Sequence, residues 1–208
     1  MDNNNLLITL GRQFGSGGRE VGQILANDLG IAFYDKELIY KTAKKGGFDV
    51  NVIENAEEIA NNSLIYSLSM GFFPQSGDNV NILGNTINKA QNDVIRSIAD
   101  KSSCVIVGRC ADYVLKDYKG CMRIFIKAPM DIRLKRAKEN YGMKKSTTER
   151  DIRRIDHKRS SYYNCYAGGS WGASDNYDLI VDTGVVGVFG AVDVIKSFVS
   201  AFRQKRNV

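Results

Sequence analysis

Signals for metal ligands and disulfides are sparse in this sequence. Its single histidine is His157, and its four cysteines are scattered without C-x-x-C spacing. A structural zinc site needs a tight set of cysteine and histidine ligands, so this composition argues against one. The simplest interpretation of the cysteines is reduced thiols. They are Cys104, Cys110, Cys121 and Cys165.

Long apolar segments are scarce as well. By inspection, no run approaches the roughly 20 residues that a membrane helix needs. The first five residues contain neither a basic start nor an apolar stretch, which argues against a signal peptide. The two prolines and 20 glycines do not indicate disorder. We therefore expect a cytoplasmic protein without a membrane partner.

The remaining composition is that of a globular protein. Its 208 residues and 43% hydrophobic content suit one α/β domain, or a domain with a lid. The formal net charge is +6, and the basic residues are concentrated in segments 133–159 and 203–206. The second segment is interpreted as a solvated tail, whereas the first needs its own explanation.

Apolar runs and amphipathic segments alternate along the chain. Continuous apolarity, as at 104–107, is typical of parallel strands covered on both faces. Strands separated by helices predict a parallel sheet with helices on both sides, and no internal repeat is evident. The predicted strands are 6–10, 31–34, 104–107, 122–126 and 179–182. The predicted helices are 19–29, 36–44, 51–69, 85–100, 130–140, 146–163 and 192–203.

The first predicted strand leads into a glycine-rich turn. Residues 11–20 read Gly-Arg-Gln-Phe-Gly-Ser-Gly-Gly-Arg-Glu and are followed by a helical pattern. Glycines let consecutive backbone N–H groups turn inward, and a helix N-terminus adds the positive end of its dipole. The turn therefore predicts a cradle for an anion, most naturally a nucleotide phosphate. An ordinary strand-to-helix turn is the alternative.

This turn lacks the lysine of the usual phosphate loop. The pattern G-x-x-x-x-G-K-[ST] is not met, because Gly18, Arg19 and Glu20 follow Gly17 where a lysine and a hydroxyl residue are expected. The loop by itself therefore predicts phosphate binding and leaves catalysis open.

Two polar residues follow predicted strands directly. Arg109 comes after the strand at 104–107, and Asp35 comes after the strand at 31–34. Ligands of open α/β sheets bind at the carboxyl ends of strands, where a guanidinium suits bidentate phosphate binding. A salt bridge is the alternative for Arg109. For Asp35 the alternatives are a helix cap, a hydrogen-bond acceptor for a nucleoside and a group that holds magnesium waters.

Four segments carry a family pattern. They are the loop at 11–20, Phe-Tyr-Asp-Lys-Glu-Leu-Ile-Tyr-Lys at 33–41, Val-Gly-Arg-Cys-Ala-Asp at 107–112, and the basic helical pair followed by Tyr-Asp-Leu-Ile-Val-Asp-Thr at 177–183. Together they resemble the cytidylate kinase-like family within the nucleoside monophosphate kinases. The resemblance runs from about residue 6 to residue 198 and is weakest over 51–84.

The resemblance implies a three-layer α/β/α fold of the phosphate-loop NTPase class. It implies a five-stranded parallel sheet, a helical lid and an acceptor-binding insert. Residues 1–208 would then form a single kinase-like domain. Its core would cover about 5–45, 85–130 and 176–204, the acceptor-side insert about 46–84, and the basic lid about 131–175.

The activity that the resemblance implies is ATP-dependent phosphoryl transfer to a nucleoside monophosphate, such as CMP or dCMP. ATP and Mg²⁺ would be the cofactors, and the partners a nucleotide donor and a small nucleotide acceptor. A homo-oligomer is compatible with this interpretation. An arginine-rich lid would offset the repulsion between two polyphosphates when it closes, which explains the basic segment.

The resemblance also assigns roles to residues. The donor would be bound by Gly15, Ser16, Gly17, Gly18, Arg19, Glu20, Arg150 and Arg153. The acceptor would be bound by Asp35, Lys36, Lys41, Arg109 and Asp112. Arg12, Arg19, Arg154 and Arg159 would act in catalysis. Mg²⁺ would arrive with ATP, with Ser16 or Asp35 as candidate ligands. The lid arginines have an alternative interpretation as a solvated helix face with ion pairs such as Glu149 with Arg153.

Several positions depart from the family pattern. Alignment of Gly15 and Gly17 puts Gly18 where the lysine belongs, so Arg19 or Arg12 is expected to replace it. Cys110 stands in place of an aspartate, and Asp112 is near enough in sequence to take over. Lys36 replaces a serine near the acceptor base, so cytidine specificity does not transfer.

Other classes of function stay open. A nucleotide-binding protein that closes its lid without turnover would fit the missing lysine, and a kinase of another small metabolite is a related hypothesis. Nucleic-acid binding through the basic helices is less favoured and predicts a steep dependence on salt. The tyrosine-rich stretch at 162–171 fits side-chain packing of the lid on the body, a subunit contact, or stacking on a base.

Overall fold

A computed structural model describes residues 5–35, 41, 44–45 and 78–206, and the statements on structure below refer to these residues. The strands are β1 (Leu7–Arg12), β2 (Ala32–Tyr34), β3 (Cys104–Val107), β4 (Cys121–Lys127) and β5 (Leu179–Asp182). The helices are α1 (Gly18–Leu29), α2 (Asp78–Lys101), α3 (Ala111–Val114), α4 (Met130–Glu139), α5 (Glu149–Ala167) and α6 (Thr183–Arg206), with a 3-10 turn at Ser174–Asn176.

The five strands form one parallel sheet in the order β2-β3-β1-β4-β5. β1 lies at the centre, with Leu10 opposite Val107 of β3 and Gly11 opposite Phe125 of β4. The carboxyl ends of β1 and β3 therefore meet at the same edge, where the loop after β1 begins. The predicted five-stranded parallel sheet is confirmed.

Helices cover both faces of the sheet, as the continuous apolar strands predict. One face packs on α1 and α6, and its centre is formed by residues such as Ile8, Ile124 and Ile195, each with no exposed surface. The other face packs on α2 and α3 around Leu7 and Ile106. The architecture is the expected three-layer α/β/α sandwich.

The last helix, α6, is long and apolar. Thr183–Lys205 has the length and composition of a membrane-crossing helix, which inspection of the sequence missed. Core helices meet the same criterion, and Ala191, Val192 and Val199 of this helix are buried against the sheet. Gly187, with φ 71° and ψ 179°, interrupts the helical geometry near its start.

Parts of the predicted organisation lie outside the described residues. The predicted helix at 51–69 is among them, as is most of the predicted helix at 36–44. α2 begins at Asp78, seven residues before the predicted start, and so extends into the segment assigned to the insert. The division into core, insert and lid stays a prediction.

Candidate active site

The loop between β1 and α1 has the geometry of an anion cradle. Gly15 and Gly17 have φ of 79° and 80°, the left-handed region that favours glycine. A Cβ at Gly15 would lie 2.5 Å from the backbone oxygen of Arg133, so the loop also needs glycine for its close approach to α4. Within the described residues, no side chain caps α1, so its first N–H groups stay available to an anion.

Two arginines of α4 bind the backbone of this loop. Arg133 is 4% exposed, and its Nε donates to the carbonyl of Phe14 at 2.7 Å. Arg136 donates from Nη1 to the carbonyl of Gly15 at 3.0 Å. Because both arginines bind backbone carbonyls, they fix the loop's shape without occupying its N–H groups.

A carboxylate from α5 completes the support of the loop. Asp156 accepts the backbone N–H of Phe14 at Oδ1, with a distance of 2.7 Å, and its Oδ2 accepts Nη2 of Arg133. The same three groups therefore connect the loop, α4 and α5. The contacts tie α5, which belongs to the predicted lid, to the loop after β1.

The start of α6 binds the loop from a third side. Thr183 is 2% exposed and donates its hydroxyl to the carbonyl of Ser16 at 2.6 Å. The Ser16 hydroxyl in turn donates to the carbonyl of Gln13 at 2.8 Å. In this arrangement the serine hydroxyl serves the internal structure of the loop.

A group of arginines surrounds Asp35 at the carboxyl edge of the sheet. Arg19 Nε donates to Asp35 Oδ2 at 2.7 Å, and Nη2 of Arg12 lies 3.8 Å from Asp35 Oδ1. Arg109 and Arg159 also act on the charge of Arg12. Within the described residues, this group of four cations interacts with Asp35 and, through Arg159, with Asp156, so positive charge is in excess.

The electrostatics of Arg12 reflect this surplus. Burial, together with the positive charges of Arg159, Arg109 and Arg19, lowers the pKa of Arg12 to about 9 against the opposing effect of Asp35. Burial likewise lowers the pKa of Arg159. A bound anion would relieve the repulsion among these arginines.

Arg159 itself contacts the loop. Its Nη1 donates to the carbonyl of Arg12 at 3.1 Å, and its guanidinium lies 5.4 Å from the ring centroid of Phe14. The predicted lid arginine is thus brought to the loop, beside the arginines around Asp35.

The turn after β3 has an unusual backbone. Gly108, Arg109 and Cys110 have φ of 76°, 61° and 53°, three left-handed residues in succession. Non-glycine residues in this region are costly and cluster at functional sites. The turn begins where β3 ends, so Arg109 lies at the carboxyl end of the strand as predicted.

Asp112 lies inside the body of the protein. It is 6% exposed, and its Oδ2 accepts the hydroxyl of Tyr163 at 2.7 Å. Burial raises the pKa of Asp112, whereas the Tyr163 hydrogen bond lowers it. Its contacts are those of a buried anchor for α5, and a role in acceptor binding stays a prediction.

The tyrosine-rich stretch packs α5 against the body. The hydroxyl of Tyr162 accepts N–H groups from Asn88 at 3.2 Å and Gln91 at 3.0 Å, both on α2. Tyr163 packs with Cys110, and Tyr162, Tyr166 and Trp171 lie against that cluster. Of the three interpretations of this stretch, these contacts are those of packing.

Several predicted site residues are not part of these contacts. Arg153 pairs with Glu149 at 3.4 Å and Arg154 with Asp151 at 3.7 Å, both on the exposed start of α5. The ion pair predicted as the alternative for Arg153 is therefore present. Arg150 and Glu20 are exposed, Lys41 stands 4.3 Å from the ring centroid of Tyr34, and Lys36 lies outside the described residues.

The candidate magnesium ligands are engaged elsewhere. The Ser16 hydroxyl binds within its own loop, and Asp35 is paired with Arg19 and Arg12. Among the residues that the structure describes, no group of three or more His, Cys, Asp or Glu is arranged to hold a metal ion. Binding of Mg²⁺ together with the phosphates of a nucleotide stays a prediction.

Sequence reasoning missed the residues that shape the loop. Gln13, Arg136 and Thr183 were not singled out, and Arg133 and Asp156 were noted only within longer basic or lid segments. Phe14 and Asp156 are 142 residues apart. The one local signal was the basic density of α4, which does not tell a buried arginine from a solvated one.

Comparison with known proteins agrees with this arrangement. Residues 7–185 match the model of the cytidylate kinase-like family. An uncharacterized protein from Eubacterium ventriosum is 29% identical, with a TM-score of 0.69, and the match covers 94% of this chain and 99% of that one. No curated protein matches the chain.

Shikimate kinases share the fold at low identity. The enzyme from Bacteroides thetaiotaomicron is 10% identical with a TM-score of 0.54, and the match covers 94% of this chain and 98% of that one. The enzyme from Acinetobacter baumannii, in complex with shikimate, is 14% identical with a TM-score of 0.51, covering 95% and 94%. The fold is thus that of phosphate-loop kinases, and the family match, which spans most of the chain, supports a small-molecule kinase. The chain belongs to the cytidylate kinase-like family.

Proposed function

We propose that this protein transfers the γ-phosphoryl group of ATP to a nucleoside monophosphate, with CMP or dCMP as the first acceptors to test. The observation that carries the proposal is the meeting of two features at one edge of the sheet. A glycine loop with an uncapped helix lies beside four interacting arginines, two of which pair with Asp35. Such a surplus of cations suits two phosphate-bearing substrates held close together.

In the proposed reaction an oxygen of the acceptor phosphate attacks the γ-phosphorus of ATP. A new P–O bond forms as the bond between the γ-phosphorus and the β–γ bridging oxygen breaks, and ADP leaves with that electron pair. The acceptor phosphate is already an anion, so no general base is required. Bound Mg²⁺ would neutralise charge on the donor oxygens.

The chain's own residues would align the two substrates and neutralise the negative charge of their phosphates. The N–H groups at the start of α1 would hold donor phosphate oxygens, and Arg133 and Asp156 would keep the loop in shape. Arg159, on the lid helix, would offset charge that develops between donor and acceptor. Arg109, at the end of β3, would bind the acceptor phosphate.

A screen of acceptors tests this proposal. Release of ADP from Mg-ATP would be measured with CMP, dCMP, UMP, AMP and GMP, with shikimate, and without acceptor. We expect ADP formation that depends on a nucleoside monophosphate and is greatest with CMP or dCMP. ATP binding without any acceptor-dependent ADP formation would contradict the proposal and favour a nucleotide-binding protein without turnover. Turnover with shikimate alone would point to another small-molecule acceptor.

A further inference from the structure

Arg12 occupies space that two glycines leave open. It is the last residue of β1, and its side chain is 21% exposed. The side chain runs from the end of β1 past Gly18, at the start of α1, to Gly108, in the turn after β3. The side chain of Arg12 therefore crosses from the carboxyl end of β1 to the carboxyl end of β3.

Gly18 makes room for the stem of Arg12. A Cβ at Gly18 would lie 2.6 Å from Cβ and 3.1 Å from Cγ of Arg12, closer than real Cβ contacts allow. Gly18 belongs to α1 and does not have a positive φ, so its backbone does not itself require glycine. The close contact is the physical reason for glycine here, and Arg12 excludes any larger side chain at this position.

This exclusion coincides with the missing lysine. Gly18 is the position at which the usual phosphate-loop pattern has its lysine. A side chain at 18 would meet the Cβ and Cγ of residue 12, so a lysine at 18 requires a smaller residue at 12. The residues at positions 12 and 18 are therefore sterically coupled.

Gly108 makes room for the other end of Arg12. A Cβ there would lie 2.0 Å from Nη1 of Arg12. The guanidinium therefore rests directly on the backbone at the carboxyl end of β3. From here Nη2 of Arg12 lies 3.8 Å from Oδ1 of Asp35. Arg159 donates to the backbone carbonyl of Arg12.

Arg19, the other candidate, has a different environment. Its side chain is 57% exposed, and its Nε is held by Asp35 at 2.7 Å. Its charge is largely matched by that carboxylate and reached by water. Arg12 faces the same carboxylate at a longer distance and with three other arginines acting on it.

We infer that Arg12 supplies the phosphate-binding cation that a lysine supplies in the usual phosphate loop, and that Gly18 and Gly108 admit its side chain to that place. The inference rests on the proposed function for the identity of the donor, but it concerns binding of a polyphosphate and is testable without turnover. A guanidinium there presents a fork of donors to two phosphate oxygens, which one lysine ammonium does not.

A binding experiment tests the role of Arg12 independently of catalysis. Affinities for Mg-ATP and for inorganic tripolyphosphate would be measured by calorimetry on the full chain and on Arg12→Ala, Arg19→Ala and Arg96→Ala. Arg96 is an exposed arginine on α2 and controls for loss of one positive charge. We expect Arg12→Ala to weaken both ligands at least about tenfold, more than Arg19→Ala does, and Arg96→Ala to stay close to wild type. An Arg12→Ala protein with wild-type affinity, or a larger loss in Arg19→Ala, would overturn the inference.

A positional swap tests the coupling between residues 12 and 18. Gly18→Lys, Arg12→Gly and the double variant would be compared for polyphosphate affinity and for turnover, with thermal melting as a check on folding. Because Arg12→Gly removes both the Cβ and the Cγ that obstruct position 18, the double variant is expected to bind at least about fivefold more tightly than Arg12→Gly alone. Gly18→Lys alone should bind worse than wild type. Equal affinity in the double variant and in Arg12→Gly would overturn the inference, even where Gly18→Lys alone does not fold.

The swap separates the two proposals. Loss of polyphosphate binding in Arg12→Gly with recovery in the double variant supports the inference even when wild type turns over no acceptor. In that case only the proposed function fails. Acceptor-dependent turnover that is unchanged in Arg12→Ala would leave the proposed function standing and remove Arg12 from it.

Discussion

Phe14 of the phosphate loop donates its backbone N–H to Asp156 of α5 at 2.7 Å. The same carboxylate pairs with Arg133, whose side chain is 5% exposed. A buried ion pair thus couples the shape of the loop to the position of α5. This contact has consequences for stability as well as for ligand binding.

Replacement of Asp156 by alanine is expected to destabilise the protein strongly. Removal of one partner leaves the charge of Arg133 buried and unpaired, which typically costs about 3 kcal/mol or more. Urea unfolding of Asp156→Ala would measure the loss. Asp117→Ala, at an exposed position, is the matched control and should change the free energy of unfolding by less than about 0.5 kcal/mol. Equal stability of the two variants would mean that the ion pair contributes nothing.

We expect the hydroxyl of Thr183 to contribute to the stability of the protein. Thr183→Val keeps the shape but removes the donor to the Ser16 carbonyl at 2.6 Å, so a buried carbonyl loses its partner. The expected cost is about 2 kcal/mol in the free energy of unfolding, with weaker polyphosphate binding. Thr183→Ser retains the donor and should stay near wild type. A serine variant as unstable as the valine variant would assign the effect to the lost methyl group.

The raised pKa of Asp112 predicts that the stability of the protein depends on pH. Burial raises its pKa in the folded protein, so the folded state holds its proton more firmly than the unfolded state. The contribution of Asp112 to stability therefore falls as pH rises from about 4 through the raised value. Asp112→Asn retains an acceptor for Tyr163 and carries no charge.

Unfolding in urea between pH 4 and pH 8 measures this effect. The stability of Asp112→Asn relative to wild type should increase with pH across that interval. Tyr163→Phe, which keeps the carboxylate and removes its hydrogen bond, should show the pH dependence of wild type or a steeper one. A constant difference between Asp112→Asn and wild type would show that the folded pKa of Asp112 is not raised.

Substitution of Tyr162 distinguishes packing of this side chain against α2 from stacking of its ring on a nucleotide base. In Tyr162→Phe the amide groups of Asn88 and Gln91 lose their shared acceptor, so stability should fall by about 1–2 kcal/mol. The Michaelis constants for nucleotides should stay near wild type, because the ring is retained in its packed position. Unchanged stability with a raised Michaelis constant would instead support contact between Tyr162 and a base.

The sheet was readable from the sequence because its strands are continuous apolar runs. Residues 104–107 and 179–182 were predicted with the bounds that the structure has. Helix ends were less predictable. α6 begins at Thr183, nine residues before the predicted start. The prediction started too late because Gly184 and Gly187 interrupt the apolar pattern that marks a helix.

The phosphate loop could also be predicted, since Gly15, Gly17 and Gly18 lie close together in sequence. The partners that shape it were not, because Asp156 and Thr183 reach it across 142 and 167 residues. The choice between Arg12 and Arg19 needed the positions of Gly18 and Gly108, which only the folded chain brings together. Sequence spacing alone treats the two arginines as equivalent.

The most direct test of phosphoryl transfer follows the label of [γ-³²P]ATP into an acceptor. Wild-type protein would be incubated with labelled ATP, Mg²⁺ and CMP or dCMP, and the products separated by chromatography. The account predicts labelled CDP or dCDP formed in equal amount to ADP, with a rate about 100-fold lower in Arg12→Ala. Label that stays in ATP, or appears only as inorganic phosphate with every nucleoside monophosphate, would contradict it.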